Sequence, residues 1–188
     1  IIAEADRLRN LADRMLGPHK PPSLSDINIH EPLERVRHIL LAEGDHRINI
    51  IRDYDPSLPE FRADKDQLIQ AILNVVKNSM QALTENPAQE SPTIKLRTRA
   101  LRQFTIGNTR HRLTCALEIE DNGPGIDKPL IETVFSPMVS GRASGTGLGL
   151  SISQSIIAQH QGLIECETAP GKTVFRLILP LDKPESQS

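Results

Sequence analysis

The chain has no tryptophan, and aromatic residues make up only 3% of its 188 residues, with Tyr54 the single tyrosine. That scarcity excludes the stacking platforms on which proteins lay out single-stranded nucleic acid. There is no basic excess either. The net charge is −2, which argues against a nucleic-acid-binding surface as the main function. No apolar run approaches the ~20 residues of a membrane span. Cysteine is limited to Cys115 and Cys166, both within apolar strand-like runs. Without a C-x-x-C spacing or a His/Cys cluster, these read as buried thiols of a cytoplasmic protein and not as a metal or disulfide framework. No signal peptide is evident, and a start at Ile1 instead of Met reads as a fragment of a longer protein.

What the sequence does have is glycine in two clusters. Asp121-Asn-Gly-Pro-Gly-Ile126 follows the strand-like run Leu113–Glu120, so Asp121 is expected at a strand end, with Gly123 and Gly125 letting backbone approach a flat ligand. Gly145-Thr-Gly-Leu-Gly-Leu150 precedes a helical run. Glycines that open a helix expose unpaired N–H groups at the positive end of its dipole, where anions bind. Together the clusters suit one molecule, a purine at Asp121 with its phosphates at Gly145–Gly149. Two familiar phosphate loops fail on spacing. A P-loop ending in Gly171-Lys172-Thr173 requires glycine where Cys166 stands, and a dinucleotide turn from Gly145 requires glycine where Leu150 stands.

Three segments follow from the punctuation: residues 1–22, 23–181 and a polar tail, 182–188, expected to be mobile. Apolar residues recur at helical spacing over residues 1–16, and Gly17-Pro18 stops that helix. Its stripe fits either a partner helix in a dimer or the chain's own domain. Next come a short strand at Ser25–Ile29, a helix over Pro32–Ala42 and a strand at Ile48–Asp53. Asp64 is placed to cap a helix running to about Leu83. Strands are expected at Thr93–Ala100 and Leu113–Glu120, with a polar hairpin or loop at Arg102–His111 between them. A helix at Leu150–Gln159 and strands at Leu163–Glu167 and Thr173–Leu179 complete the reading.

On the helix after Asp64, Asn74 and Asn78 are four apart and share a face. Asparagine is a mediocre helix former, so two of them beside a core face need a reason. They either satisfy backbone groups or offer neutral, hard amide oxygens to a Mg²⁺ that keeps its waters and bridges phosphates.

Taken in order, these stretches resemble the catalytic ATP-binding domain of sensor histidine kinases, within the superfamily that also holds gyrase, Hsp90 and MutL. Asn74-Val-Val-Lys-Asn78 matches the N box and Asp121-Asn-Gly-Pro-Gly125 the G1 box. Phe135-Ser-Pro-Met138 matches the F box, and Gly145-Thr-Gly-Leu-Gly149 the G2 box. The resemblance covers about residues 24–181, and residues 1–16 are similar to the second helix of the dimerisation and phosphotransfer domain. More narrowly, Arg52-Asp-Tyr-Asp-Pro-Ser-Leu-Pro59 and Pro137-Met-Val-Ser-Gly-Arg142 are similar to nitrogen-regulation kinases of the NtrB type.

The resemblance implies an α/β two-layer sandwich of the Bergerat type, a mixed sheet of about five strands under three helices, preceded by part of a dimerisation helix. It implies ATP and Mg²⁺ as cofactors. Asp121 would accept from the adenine amino group, and Asn78 with Asn74 would hold the metal. Gly145, Thr146, Gly147, Leu148 and Gly149 would bind phosphates, with Gly123, Gly125, Ile126 and Phe135 around the nucleotide. Lys77 would sit near phosphate or in solvent, and Arg142 would offset charge on the γ-phosphoryl. The implied partners are a histidine-containing dimerisation domain of the same kinase, an NtrC-type response regulator and a PII-type signalling protein, with a homodimer in the full-length protein, no nucleic acid and no membrane.

Departures from the pattern matter too. The last glycine motif keeps only Gly171, and the segment from Phe135 to Gly145 is short for a lid. The phospho-accepting motif is missing: His30-Glu31-Pro32-Leu33 places proline two residues after its histidine and lies after the linker. His19, His38, His46, His111 and His160 read as surface or loop residues. Three rival functions remain at this stage. A gyrase-like hydrolase places a glutamate where Asn74 stands, and an amide does not abstract a proton at neutral pH. A serine-kinase anti-sigma factor is disfavoured by the helix at residues 1–16. The third is a module that binds ATP or a regulator without turnover.

Overall fold

The computed structural model describes residues 20–43, 45–138 and 147–182. The helix expected at residues 1–16, its stop, Arg142, Gly145, Thr146 and the tail beyond Asp182 lie outside those residues.

In chain order the elements are β1 (Ser25–Ile27), α1 (His30–Glu43), β2 (Asn49–Asp53), β3 (Phe61–Ala63), α2 (Lys65–Thr84), β4 (Thr93–Ile106), β5 (Thr109–Asp121), α3 (Lys128–Ile131), α4 (Gly149–Gln159), β6 (Leu163–Ala169) and β7 (Lys172–Pro180). Five strands form one sheet in the order β2-β4-β5-β7-β6, while β1 and β3 pair separately. Only β2 and β4 run parallel; the other ladders are antiparallel, so the sheet is mixed. One face carries Leu96, Leu117, Ile119, Phe175 and Leu177 into a core closed by Leu33 and Val36 of α1, Leu68, Ile72 and Val75 of α2, and Ile152 and Ile156 of α4. This is the expected two-layer α/β sandwich.

The other face explains why helices cover one side only. Asp53, Arg97, Glu118, Arg176 and Glu165 are cross-strand partners in succession, one from each strand. The charges alternate, at 2.9 Å from Arg97 to Asp53, 3.4 Å from Arg97 to Glu118, 2.9 Å from Arg176 to Glu118 and 3.6 Å from Arg176 to Glu165. Each surface pair contributes little to stability. The row nevertheless makes burial of this face costly, leaving the sheet with one apolar and one wet side.

Several expectations are corrected. Strand β1 stops at Ile27 because the Asn28 side chain accepts from the His30 N–H at 2.9 Å and starts α1 two residues before Pro32. Strand β3, at Phe61–Ala63, was not foreseen, since its partner β1 is remote in sequence. Arg102–His111 is a true hairpin: β4 and β5 stay paired out to Ile106 and Thr109. Asp182 is not a free tail residue. Its carboxylate accepts from the Arg112 N–H at 2.7 Å and pairs with His111 Nδ1 at 3.0 Å. His111 and His160 are buried, not surface residues, and Cys166 is half-buried where Cys115 is fully so.

A candidate nucleotide site between two helices and three strand ends

Helix α2 starts closed. Asp64 is its N-cap, with Oδ1 accepting from the Gln67 N–H at 3.0 Å and Oδ2 from the Ser23 N–H at 2.7 Å. The Asp64 N–H itself donates to His160 Nε2 at 3.0 Å, while His160 Nδ1 bonds the Ile156 carbonyl at 2.8 Å. His160 is thus a neutral ring with its proton on Nδ1, tying the end of α4 to the start of α2. The two helices run antiparallel with opposed dipoles. They are pinned again where Ser153 Oγ donates to the Ala71 carbonyl at 2.8 Å.

Helix α4 starts open. Leu148 is its N-cap residue but gives no side-chain cap, Gly147 before it has φ 68°, and Gly149 is its first residue. Among the described residues no side chain caps its first-turn N–H groups, which is the arrangement an anion uses. Beside it, Asn74 Nδ2 donates to the Gly149 carbonyl at 3.2 Å. A Cβ at position 149 would meet the Asn74 side chain at 3.6 Å, so the N-box asparagine and the G2 glycine are packed neighbours. Asn74 and Asn78 are both half-buried, whereas Lys77 between them is exposed, as their spacing on one face requires. Leu148 is buried and packs in the core.

The other end of the site is a row of strand ends. Asp121, Thr173 and Thr168 are successive cross-strand partners on β5, β7 and β6. Asp121 is only 2% exposed, and its Oδ1 accepts from the Gly123 N–H at 3.0 Å. A Cβ at position 123 would lie 2.8 Å from that oxygen, so glycine keeps the carboxylate clear. Gly125 has φ 91°, and a Cβ there would lie 2.7 Å from the Ala169 carbonyl. Ile126 follows, its N–H donating to Thr168 Oγ1 at 2.9 Å, and Thr168 lies 3.1 Å from Thr173 Oγ1. Asn122 holds the loop from the far side: its Oδ1 accepts from the Thr93 N–H at 2.8 Å and its Nδ2 donates to the Ser91 carbonyl at 3.0 Å.

Phe135 of the F box is half-buried and meets Phe175 edge-to-face at 6.3 Å, so it braces the core next to the site. Met138, three residues on, donates its N–H to the Gly147 carbonyl at 3.0 Å, closing the loop onto the helix start. Gly171 serves the β6–β7 turn with φ 82°, and a Cβ there would have nothing within 4 Å. Burial pushes the Cys166 thiol up to about 12, with the Asp121 charge adding to the effect, so this cysteine is a packing residue.

Thr168, Thr173 and the bracing role of Asn122 were not foreseen. The only signal for the threonines was their inward parity on two strands. The structural role of His30 was not foreseen either: its ring stacks on Tyr54 at 4.7 Å, and its Nε2 lies 2.9 Å from Thr98 Oγ1.

With that geometry in hand, likeness to known proteins has a physical meaning. The family described as "Histidine kinase-, DNA gyrase B-, and HSP90-like ATPase" matches residues 63–183. The chain is 51% identical over 181 residues to the Sensory histidine kinase/phosphatase NtrB of Vibrio alginolyticus, covering 96% of this chain and 51% of that protein. It therefore spans about half the length of the curated relatives it matches. Its fold matches the nucleotide-free catalytic domain of histidine kinase ThkA with a TM-score of 0.70 at 25% identity, covering 85% of this chain and 96% of that one. It also matches histidine kinase ThkA in complex with the response regulator protein TrrA, with a TM-score of 0.73 at 23% identity, covering 99% of this chain and 50% of that one. The matched stretch begins just before α2 and takes in both glycine loops, the F box and the sheet's last strands: the chain belongs to the histidine kinase-, DNA gyrase B- and HSP90-like ATPase family.

Proposed function

We propose that this chain is the ATP-binding catalytic part of a nitrogen-control sensor histidine kinase. It would bind Mg-ATP and pass the γ-phosphoryl to a histidine on a dimerisation domain of the same kinase. The observation that carries this reading is the 3.2 Å contact from Asn74 to the Gly149 carbonyl, which sets an N-box amide against the uncapped start of α4. It is supported by the buried Asp121 at the other end of the site, an acceptor-only group suited to an exocyclic amine.

The donor set fits magnesium. Among the described residues no cluster of three or more His, Cys, Asp or Glu could hold a metal on its own. Two neutral amides beside an open helix start suit an ion that arrives with the phosphates and keeps its waters. Asn78, with Asn74 beside it, would hold it. When bound, Mg²⁺ neutralises charge on the phosphate oxygens. The residues of this chain would position the nucleotide: Asp121 takes the base amine and the Gly147–Gly149 backbone takes phosphate oxygens, while Arg142, outside the described residues, is assigned from the motif alone to offset charge on the transferring group. In the transfer the bond from the γ-phosphorus to the bridging oxygen breaks, a P–N bond to the imidazole forms, and ADP leaves. The acceptor histidine comes from the dimerisation domain, since none here has the motif. The phosphoryl then passes to an NtrC-type response regulator, with a PII-type protein as regulator and a homodimer as the full-length form, in the cytoplasm. No described helix is long and apolar enough to cross a membrane.

Incubation with γ-labelled ATP, with and without a separately supplied histidine domain, tests the reading. Label is expected only on the added domain, lost in acid and kept in base. Acid-stable label on the chain itself would replace this reading with a serine kinase.

A further inference from the structure

Next to Asn78 on α2 lies a buried polar group that no described residue satisfies. Ser79 is 0% exposed, and its Oγ has no hydrogen-bond partner. A serine inside a helix ordinarily gives its proton to the carbonyl four residues back. Ser155 does so here, to the Ser151 carbonyl at 3.1 Å, while the buried Ser153 gives its proton to the Ala71 carbonyl. Ser79 does not, although burying an unpaired hydroxyl destabilises the fold.

Its place on α2 shows which way it faces. Ala82 and Leu83 are three and four residues further on and so share its face. Both face the loop after β5: a Cβ at Gly123 would lie 3.7 Å from Ala82, 3.6 Å from Leu83 and 2.8 Å from Asp121 Oδ1. One helical turn back from that point, next to Asn78, is Ser79. Its hydroxyl therefore lies on the side of α2 turned to the base end of the site.

The chemistry of a purine edge supplies the missing partner. Asp121 can only accept, so it reads the 6-amino group and nothing else. That amino group is flanked by ring nitrogens, which are acceptors and need a donor. Resting on the nucleotide reading above, we propose that Ser79 is a base-specificity residue. Its hydroxyl donates to a ring nitrogen flanking the amino group held by Asp121, directly or through one ordered water. Acceptor and donor side by side then match adenine, whereas guanine turns an oxo group to Asp121 in place of the amine and carries a ring N–H at N1 in place of the acceptor.

This assignment makes Ser79→Ala act in opposite directions on the free and bound states. Removing an unsatisfied buried hydroxyl raises the melting temperature of the nucleotide-free protein by a few degrees. Removing the base contact raises the ATP dissociation constant about tenfold. Calorimetry with 1-deaza-ATP and 7-deaza-ATP identifies the nitrogen: for one analogue the Ser79→Ala penalty disappears, because the same contact cannot be lost twice. Unchanged ATP affinity in Ser79→Ala overturns the inference, and so do penalties that add fully for both analogues. Asp121→Ala is the control. If it weakens ATP while Ser79→Ala does not, only the Ser79 assignment fails; if wild type does not bind ATP, the nucleotide reading fails with it.

Discussion

Helices α2 and α4 lie antiparallel and share the site, yet they begin in opposite ways. At the start of α2 the Asp64 carboxylate accepts from the Gln67 and Ser23 N–H groups, and the ring of His160 accepts from the Asp64 N–H. At the start of α4 there is a left-handed glycine, an apolar N-cap residue and no side-chain cap. Helix α1 is of the first kind, with Asn28 on its opening N–H. Two of the three helices over the sheet are thus closed by their own sequence. The third is not, and it is the one that Asn74 of α2 lies against. Capping is a stabilising device, and of these three helices α4 is the one without a side-chain cap among the described residues, which agrees with the phosphate site proposed there.

The largest effect is expected where the two helices meet. Asn78→Ala should lower phosphotransfer to a supplied histidine domain by about two to three orders of magnitude, with little change in the melt of the free protein. Melts with and without Mg-ATP check the cause. Full stabilisation of the variant by Mg-ATP would make Asn78 structural. Next comes Asp121→Ala. Losing a hydrogen bond to a charged acceptor costs about 1.5–3 kcal/mol, so ATP should bind about one to two orders of magnitude more weakly by calorimetry. Equal affinity would remove Asp121 from the base site.

The closed end should behave in the reverse sense. Asp64→Ala should cost about 1 kcal/mol of stability in denaturant melts and leave ATP affinity as it was. A loss of affinity as large as that of Asp121→Ala would erase the contrast between the helices. The smallest effect belongs to the start of α1. Burial lowers the pKa of His30, with Asp55 and Glu34 opposing. Thr98 Oγ1 already accepts from the Asp55 N–H at 2.9 Å, which leaves its proton for the neutral ring. Because the folded value lies below the ordinary 6.5, the unfolded chain takes up protons first as the pH falls. The stability His30 contributes is therefore full above that value and lost as pH drops through the folded one. Melts of His30→Gln against wild type should differ more at about pH 8 than at about pH 5. A gap that widens in acid would mean that the ring is charged in the fold.

Much of this was legible in the sequence because the signals are local. Asp64 before an amphipathic run predicted a capped α2, and Asp121-x-Gly-x-Gly after a strand predicted a carboxylate at a strand end. Asn74 and Asn78 four apart predicted one face. What was missed depends on partners far away in the chain. Strand β3 exists through β1. Thr168 and Thr173 matter because β6 and β7 bring them beside Asp121. His160 and His111 carry no motif, and their burial comes from Asp64 and Asp182, residues 96 and 71 positions away. Nothing in the sequence singled out Ser79 between Asn78 and Met80, since an unsatisfied hydroxyl is visible only once its neighbours have been placed.

The contrast between a closed and an open helix start can be read directly from backbone amides. In a heteronuclear NMR titration with Mg-ATP, the N–H signals of Gly147, Gly149 and Leu150 should move together with those of Gly123, Gly125 and Ile126. Adenosine alone should move only the second group, and Gln67, at the capped start of α2, should respond to neither. If Mg-ATP left the α4 amides in place, or shifted Gln67 as strongly, the uncapped end of α4 would not be the phosphate site.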